Sequence, residues 1–145
     1  MTEVTEVGTV YLEDLKVGDS RSLTKTITPD LVQKFADVSE DRNPIHLDEA
    51  AGKASMFGQR IAHGMLSASL FSALLGERLP GHGTIYLGQT LKFLAPVRIG
   101  EEVTASVTVK EIVPEKKRVI LACEAVAGGQ KVITGEATVL APSRG

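Results

Sequence analysis

The chain has 145 residues, room for one domain around one hydrophobic core. Hydrophobic residues make up 43% of it and charged residues 23%, the composition of an ordinary folded protein. A net charge of −2 with scattered basic residues argues against a nucleic-acid binder, and the single cysteine, Cys123, excludes an internal disulfide and fits a reducing compartment.

Met1 to Gly8 reads as a loose lead-in, and its Glu3 and Glu6 stand where a secretory signal would be basic and then apolar. Arg21 to Ile27 alternates polar and apolar residues, which predicts a first strand. Thr28 as N-cap, Pro29 at the first helical position and Asp30 in the first turn start a helix. Leu31, Val32, Phe35, Ala36 and Val38 keep helical spacing, and the helix should stop near Ser39 because Pro44 forces Asn43 into an extended conformation. Ser39 to His46 is a polar loop, and Asp48 can cap a short helix to about Ala54. Met65 to Leu75 is apolar on nearly all faces and reads as a helix buried on all sides, with Gly76 as its stop. The wider run Ile61 to Leu75 carries His63 and three serines and is shorter than the roughly 20 residues of a membrane span, so a soluble, cytoplasmic protein is expected.

The second half changes period. Thr84 to Phe93 alternates, and Val103, Ala105, Val107 and Val109 alternate with polar residues as a half-buried strand does. Arg118 to Val126 and Lys131 to Leu140 are two more strands around the hairpin signal Gly128-Gly129. Lys116-Lys117-Arg118 beside Glu115 reads as a solvated hairpin tip, and Cys123 as a small buried hydrophobe. Helices followed by a run of strands give an α+β class with an antiparallel sheet, in one domain spanning residues 1–145.

The segment Asp41-Arg42-Asn43-Pro44-Ile45-His46 places a carboxylate, an amide and an imidazole on one loop, stiffened by Pro44. Such a loop can hold two titratable groups toward one water, as general acid–base catalysis requires. His63-Gly64 then opens the apolar helix, whose first N–H groups are unpaired and can stabilise an oxyanion. Read singly, each residue also has an ordinary role. Asp41 can make an Asx-turn, His46 can be a hydrogen-bonded histidine, His63 can serve its own helix start, and Gly64 can be a helix-entry glycine. Ser67, Ser69 and Ser72 can bond back to the preceding turn.

The run Phe35-Ala36-Asp37-Val38-Ser39-Glu40-Asp41-Arg42-Asn43-Pro44-Ile45-His46 resembles the signature of the (R)-specific enoyl-CoA hydratases, the hydratase-2 or MaoC-like dehydratase family. So do Ala62-His63-Gly64-Met65-Leu66 with Ser69-Leu70-Phe71-Ser72, and Tyr86-Leu87-Gly88-Gln89 leading into Leu91-Lys92-Phe93 and Pro96-Val97. The likeness runs from about Val17 to Val139 with the motifs in order, and is greatest to the short single-domain hydratases that feed polyhydroxyalkanoate synthesis. One departure is Glu40, where the family pattern often has glycine, so the loop is expected to be shaped slightly differently.

The resemblance implies a hot-dog fold, a long central helix wrapped by a curved antiparallel sheet with an overhanging catalytic segment. It implies a homodimer with the thioester tunnel at or near the subunit interface. Carried over by position, Asp41 and His46 are the catalytic pair, Asn43 supports them, Gly64 gives the oxyanion N–H and Ser72 sits by the pair. Leu75 is expected to line the acyl pocket. The implied reaction hydrates a trans-2-enoyl thioester of coenzyme A or acyl carrier protein to the (R)-3-hydroxyacyl thioester, with Asp41 as the preferred base, and without a metal or redox cofactor. The alternatives are a thioesterase on the same fold, a non-enzymatic acyl-thioester binding module, and a metal site at Asp41, His46 and His63.

Overall fold

The computed structural model describes residues 6–145. Its elements are β1 (Ser20–Thr26), α1 (Pro29–Ser39), α2 (Pro44–Leu47), α3 (Glu49–Ala54), α4 (Gly64–Glu77), β2 (Ile85–Phe93), β3 (Glu102–Val113), β4 (Arg118–Ala127) and β5 (Gln130–Leu140). Short 3-10 turns sit at Leu12–Asp14, which the sequence reading missed, and at Pro114–Lys116.

All five strands join one antiparallel sheet in the order β1-β3-β4-β5-β2. β3 and β4 alternate buried and open residues, and β5 does so after the adjacent buried pair Val132 and Ile133, so Val107, Leu121 and Val139 face inward with Phe71, Leu74 and Leu75 of α4. This is the curved-sheet and helix arrangement of the hot-dog fold. Cys123 lies on the inner face of β4, 3% exposed, and burial pushes its thiol pKa up, as a packing cysteine requires. Lys117 takes a left-handed φ of 55° at the turn between β3 and β4. No helix among the described residues is long and apolar enough to cross a membrane.

Three expectations need correction. Residues 1–5 of the lead-in lie outside the described part, but Gly8 is not loose. Its N–H donates to the Glu77 carbonyl at 2.8 Å, and its own carbonyl accepts from the His82 N–H at 3.2 Å. Helix α4 is not buried on all sides, because Met65, Ser69, Ser72 and Gly76 form an exposed stripe at i, i+4, i+7 and i+11. Strand β2 alternates in sequence but is largely open on both faces, since it is an edge strand with only β5 beside it.

Candidate active site

The first half of the site is built by the end of α1. Thr28 caps that helix through the Leu31 N–H at 3.1 Å, as its sequence predicts. Ser39 Oγ then donates to the Phe35 carbonyl and accepts the Asp41 N–H at 3.1 Å. Glu40 terminates the helix at φ 65°, the left-handed conformation that glycine adopts without cost. Glu40 therefore takes here a conformation that is unstrained only for glycine.

The loop continues through two reciprocal side-chain turns. Asp41 Oδ1 accepts the Asn43 N–H at 3.2 Å, and Asn43 Oδ1 accepts the Ile45 N–H at 3.2 Å, capping α2 behind Pro44. Asp41 thus makes its Asx-turn while keeping the other carboxylate oxygen for chemistry. His46 follows on α2 with 9% exposure. Its Nδ1 lies 2.7 Å from the Ile61 carbonyl, which can only accept, so Nδ1 carries the proton and Nε2 of the neutral ring is an acceptor. Arg60 steadies the same residue, its Nε donating to the His46 carbonyl at 2.7 Å.

Burial lowers the His46 pKa below its ordinary 6.5, and the neighbouring His63 adds to that lowering. The Ile61 hydrogen bond and the Asp41 charge oppose it without reversing it. His46 is therefore neutral at neutral pH.

The second half of the site is the start of α4. His63 precedes it, 2% exposed, with Nε2 2.9 Å from the Asp41 carbonyl and its ring stacked on His46 at 3.9 Å and 28°. Gly64 is the first helical residue, and neither its N–H nor that of Met65 has a backbone partner. A Cβ on Gly64 would come within 2.6 Å of the Phe93 ring, so glycine is what lets Phe93 approach this backbone.

A pocket of about 450 Å³ opens beside these groups. Asp41, His46, His63, Gly64 and Ser67 supply its polar atoms, and Phe57, Ile61, Met65, Phe93, Val97 and Ile133 make the rest of it apolar. Polar atoms at one end of an apolar cavity suit a reactive head on a hydrocarbon tail. Asp41, His46 and His63 also offer ligand atoms within 4.8 Å of one another.

The structure gathers Asp41, His46, Asn43 and Gly64 as the sequence implies, but not Ser72 and Leu75. At 1.5 Å per residue, Ser72 lies about 12 Å and Leu75 about 16 Å along the helix from Gly64. Ser72 belongs to the exposed stripe, and Leu75 is 1% exposed in the core between α4 and the sheet. The pocket wall comes instead from Phe57, Met65, Phe93 and Ile133, which single-residue patterns do not mark. Ser67 was readable only as a helix-bonding hydroxyl, yet it is 1% exposed with no hydrogen-bond partner for Oγ.

The MaoC-like domain family matches residues 16–136. An (R)-specific enoyl-CoA hydratase of Rhodospirillum rubrum is 54% identical over 135 residues, covering 93% of this chain and 94% of that protein. The solved R-hydratase PhaJ1 from Pseudomonas aeruginosa superposes with a TM-score of 0.90 at 44% identity, covering 94% of this chain and 88% of that one. The (R)-hydratase of Aeromonas caviae, described as involved in PHA biosynthesis, gives a TM-score of 0.88 at 46% identity, over 90% of this chain and 99% of that one.

Proposed function

The chain belongs to the MaoC-like domain family, and from that premise we propose how it works as an (R)-specific enoyl-CoA hydratase, with Asp41 and His46 handling the water. It converts trans-2-enoyl-CoA to (R)-3-hydroxyacyl-CoA and catalyses the reverse dehydration. The observation that carries the reading of the site is the pairing of two proton acceptors over an apolar pocket that also holds a helix N-terminus.

One water donates its two hydrogens to Asp41 and to His46 Nε2, which leaves an oxygen lone pair for the β-carbon. As the C–O bond forms, Asp41 takes one proton, His46 Nε2 keeps its hydrogen bond to the other, which stays on the oxygen as the product hydroxyl, and the alkene electrons move onto the thioester oxygen as an enolate. The Gly64 N–H, at the positive end of α4, stabilises that oxygen. The pair then returns a proton to the α-carbon from the same side, so the proton balance closes. Asn43 supports the pair by fixing the turn between its members. The reaction runs without metal or redox cofactor, and coenzyme A serves only as carrier of the acyl group.

The active unit is a homodimer. Ile85, Tyr86, Leu87 and Phe93 leave a long apolar edge strand open, next to the exposed stripe of α4. A second copy adding its own edge strand would cover both.

The test is loss of crotonyl-CoA absorbance with the product's configuration determined, in wild type, Asp41→Asn and His46→Gln. Hydration to the (R)-alcohol with at least about 10² loss of kcat in each folded variant is expected. Release of free thiol without hydration would identify a thioesterase, and near-normal turnover of Asp41→Asn would remove the pair. Elemental analysis of active protein showing stoichiometric zinc or iron would overturn the metal-free reading.

A further inference from the structure

We propose that His63 is a positioning residue for hydration, one buried imidazole that registers both Asp41 and His46 to the first turn of α4. The inference rests on the reading of Asp41 and His46 as the working pair.

The geometry gives His63 two attachments. Its Nε2–H donates to the main-chain carbonyl of Asp41 across 22 positions of sequence, at 2.9 Å. The bond is partly buried and joins the start of α4 to the loop that carries the Asp41 carboxylate. The bond therefore fixes where the Asp41 backbone lies relative to α4. On its face, the ring lies 3.9 Å from the His46 ring at 28°. On Phe35 of α1 it tilts at 55° with centroids 4.9 Å apart. The imidazole is thus held between α1 and α2 while its own backbone starts α4.

Two simpler roles do not account for it. His63 makes no side-chain cap bond to α4, so it does not serve its own helix. Nor is it efficient as apolar filler, because its buried Nδ1 has no hydrogen-bond partner among the described residues, and a buried unpaired polar atom is costly. One turn further on, the buried Ser67 Oγ is equally unpartnered, and both residues line the pocket. A polar ring at this place is explained by what its Nε2 and its face hold in register.

The next residue is Gly64, whose N–H faces the developing enolate in the proposed reaction. Base, water acceptor and oxyanion donor are then all referenced to one backbone segment. The groups bearing on the His46 ring are Asp41 from the loop and His63 from the helix start. Arg60, paired with Glu49, holds the His46 carbonyl.

The experiment compares full-length His63→Phe and His63→Gln with wild type on crotonyl-CoA, alongside an NMR pH titration of the His46 ring. Phe keeps a stacking ring without the donor, whereas Gln keeps a donor without the ring. A displaced base is expected to lower kcat of His63→Phe by about 10–100-fold with KM changed by less than about threefold, and His63→Gln to recover about tenfold of that. The His46 midpoint should move to higher pH in both variants, because both lose the neighbouring imidazole that opposes its charge. Wild-type kcat and an unmoved His46 midpoint in His63→Phe, whatever its melting temperature, would make His63 filler and overturn the proposal. If His63→Phe does not fold, the same two readings on His63→Gln decide it. Asp41→Asn and His46→Gln run beside them: full turnover there would fail the pair itself, whereas their loss with an unaffected His63→Phe would fail only this inference.

Discussion

His46 shows how one residue's surroundings set both its chemistry and its pH response. Burial is the largest influence and lowers its pKa, so the native state resists a proton that the unfolded chain accepts near pH 6.5. Its contribution to stability is full above about pH 6.5 and is lost as pH falls through the lowered native pKa. Activity should follow the same direction, with kcat/KM falling on an acid limb whose midpoint lies below 6.5. A pH–rate profile from acid to neutral checks this, and a limb absent from His46→Gln assigns it. Glu40 offers a second prediction at this scale. A non-glycine residue held at φ 65° carries roughly 1–2 kcal/mol of strain, partly offset by the entropy a glycine adds to the unfolded chain. Glu40→Gly should raise stability by about 1 kcal/mol in urea unfolding without changing kcat. The departure at Glu40 was visible in the sequence, but its conformation was not. A side chain that disfavours positive φ predicts a different loop, and the Glu40 N–H bond to the Ala36 carbonyl with the Ser39 and Asp41 bonds on either side hold it there.

At the scale of elements, local signals read well where the chain makes its own contacts. The Thr28-Pro29 start, the Asp48 cap of α3 and the alternation of β3 all appear as their residues dictate. What failed depended on neighbours. The apolar run of α4 gave no sign of which face would stay open, because its exposed stripe is mostly serine and glycine with Met65 alone large. β2 alternates like a half-buried strand, but sheet position decides burial and the sheet order places it at an edge. The loop of the proposed pair was legible because Asp41, Asn43 and His46 lie within six residues, whereas the pocket wall is assembled from α4, β2, β5 and the Phe57 turn and was not. Leu75 illustrates the difference. Because Leu75 is buried in the core between α4 and the sheet, Leu75→Ala should cost about 2–5 kcal/mol of stability. Relative kcat/KM across acyl lengths should stay that of wild type. Denaturant unfolding and a panel of enoyl-CoA substrates measure the two effects separately, and a shifted length preference would return Leu75 to the tunnel. Gly64→Ala should act oppositely. Its methyl must displace the Phe93 ring, so activity falls more than stability.

For the molecule as a whole, the open edge is the feature that calls for an explanation. Ile85 is 57% exposed and Phe93 51% exposed on one strand, an arrangement that invites uncontrolled pairing if left bare. A second copy would cover it, with an interface of roughly 2,000 Å² or more expected for an obligate pair. Sedimentation across a range of concentrations should give a particle of twice the chain mass. Placing a charge at the strand, as in Ile85→Lys, should weaken that particle and lower specific activity together. A fully active monomer at all concentrations would refute the dimer. Because the pocket wall includes Phe93 from this same strand, pairing and substrate selection are expected to respond to the same substitutions.

Both ring protons of the site are received by the main chain, at Ile61 and at Asp41. Every residue type, proline included, presents a carbonyl there. Point substitution at position 61 therefore leaves the acceptor of His46 in place, whereas inserting or deleting one residue between His46 and Ile61 moves it. The protonation pattern is inherited through chain length and path, not through side-chain identity. A side-chain change in the pocket lining at position 61 is therefore expected to alter the pocket without moving the acceptor of the His46 proton.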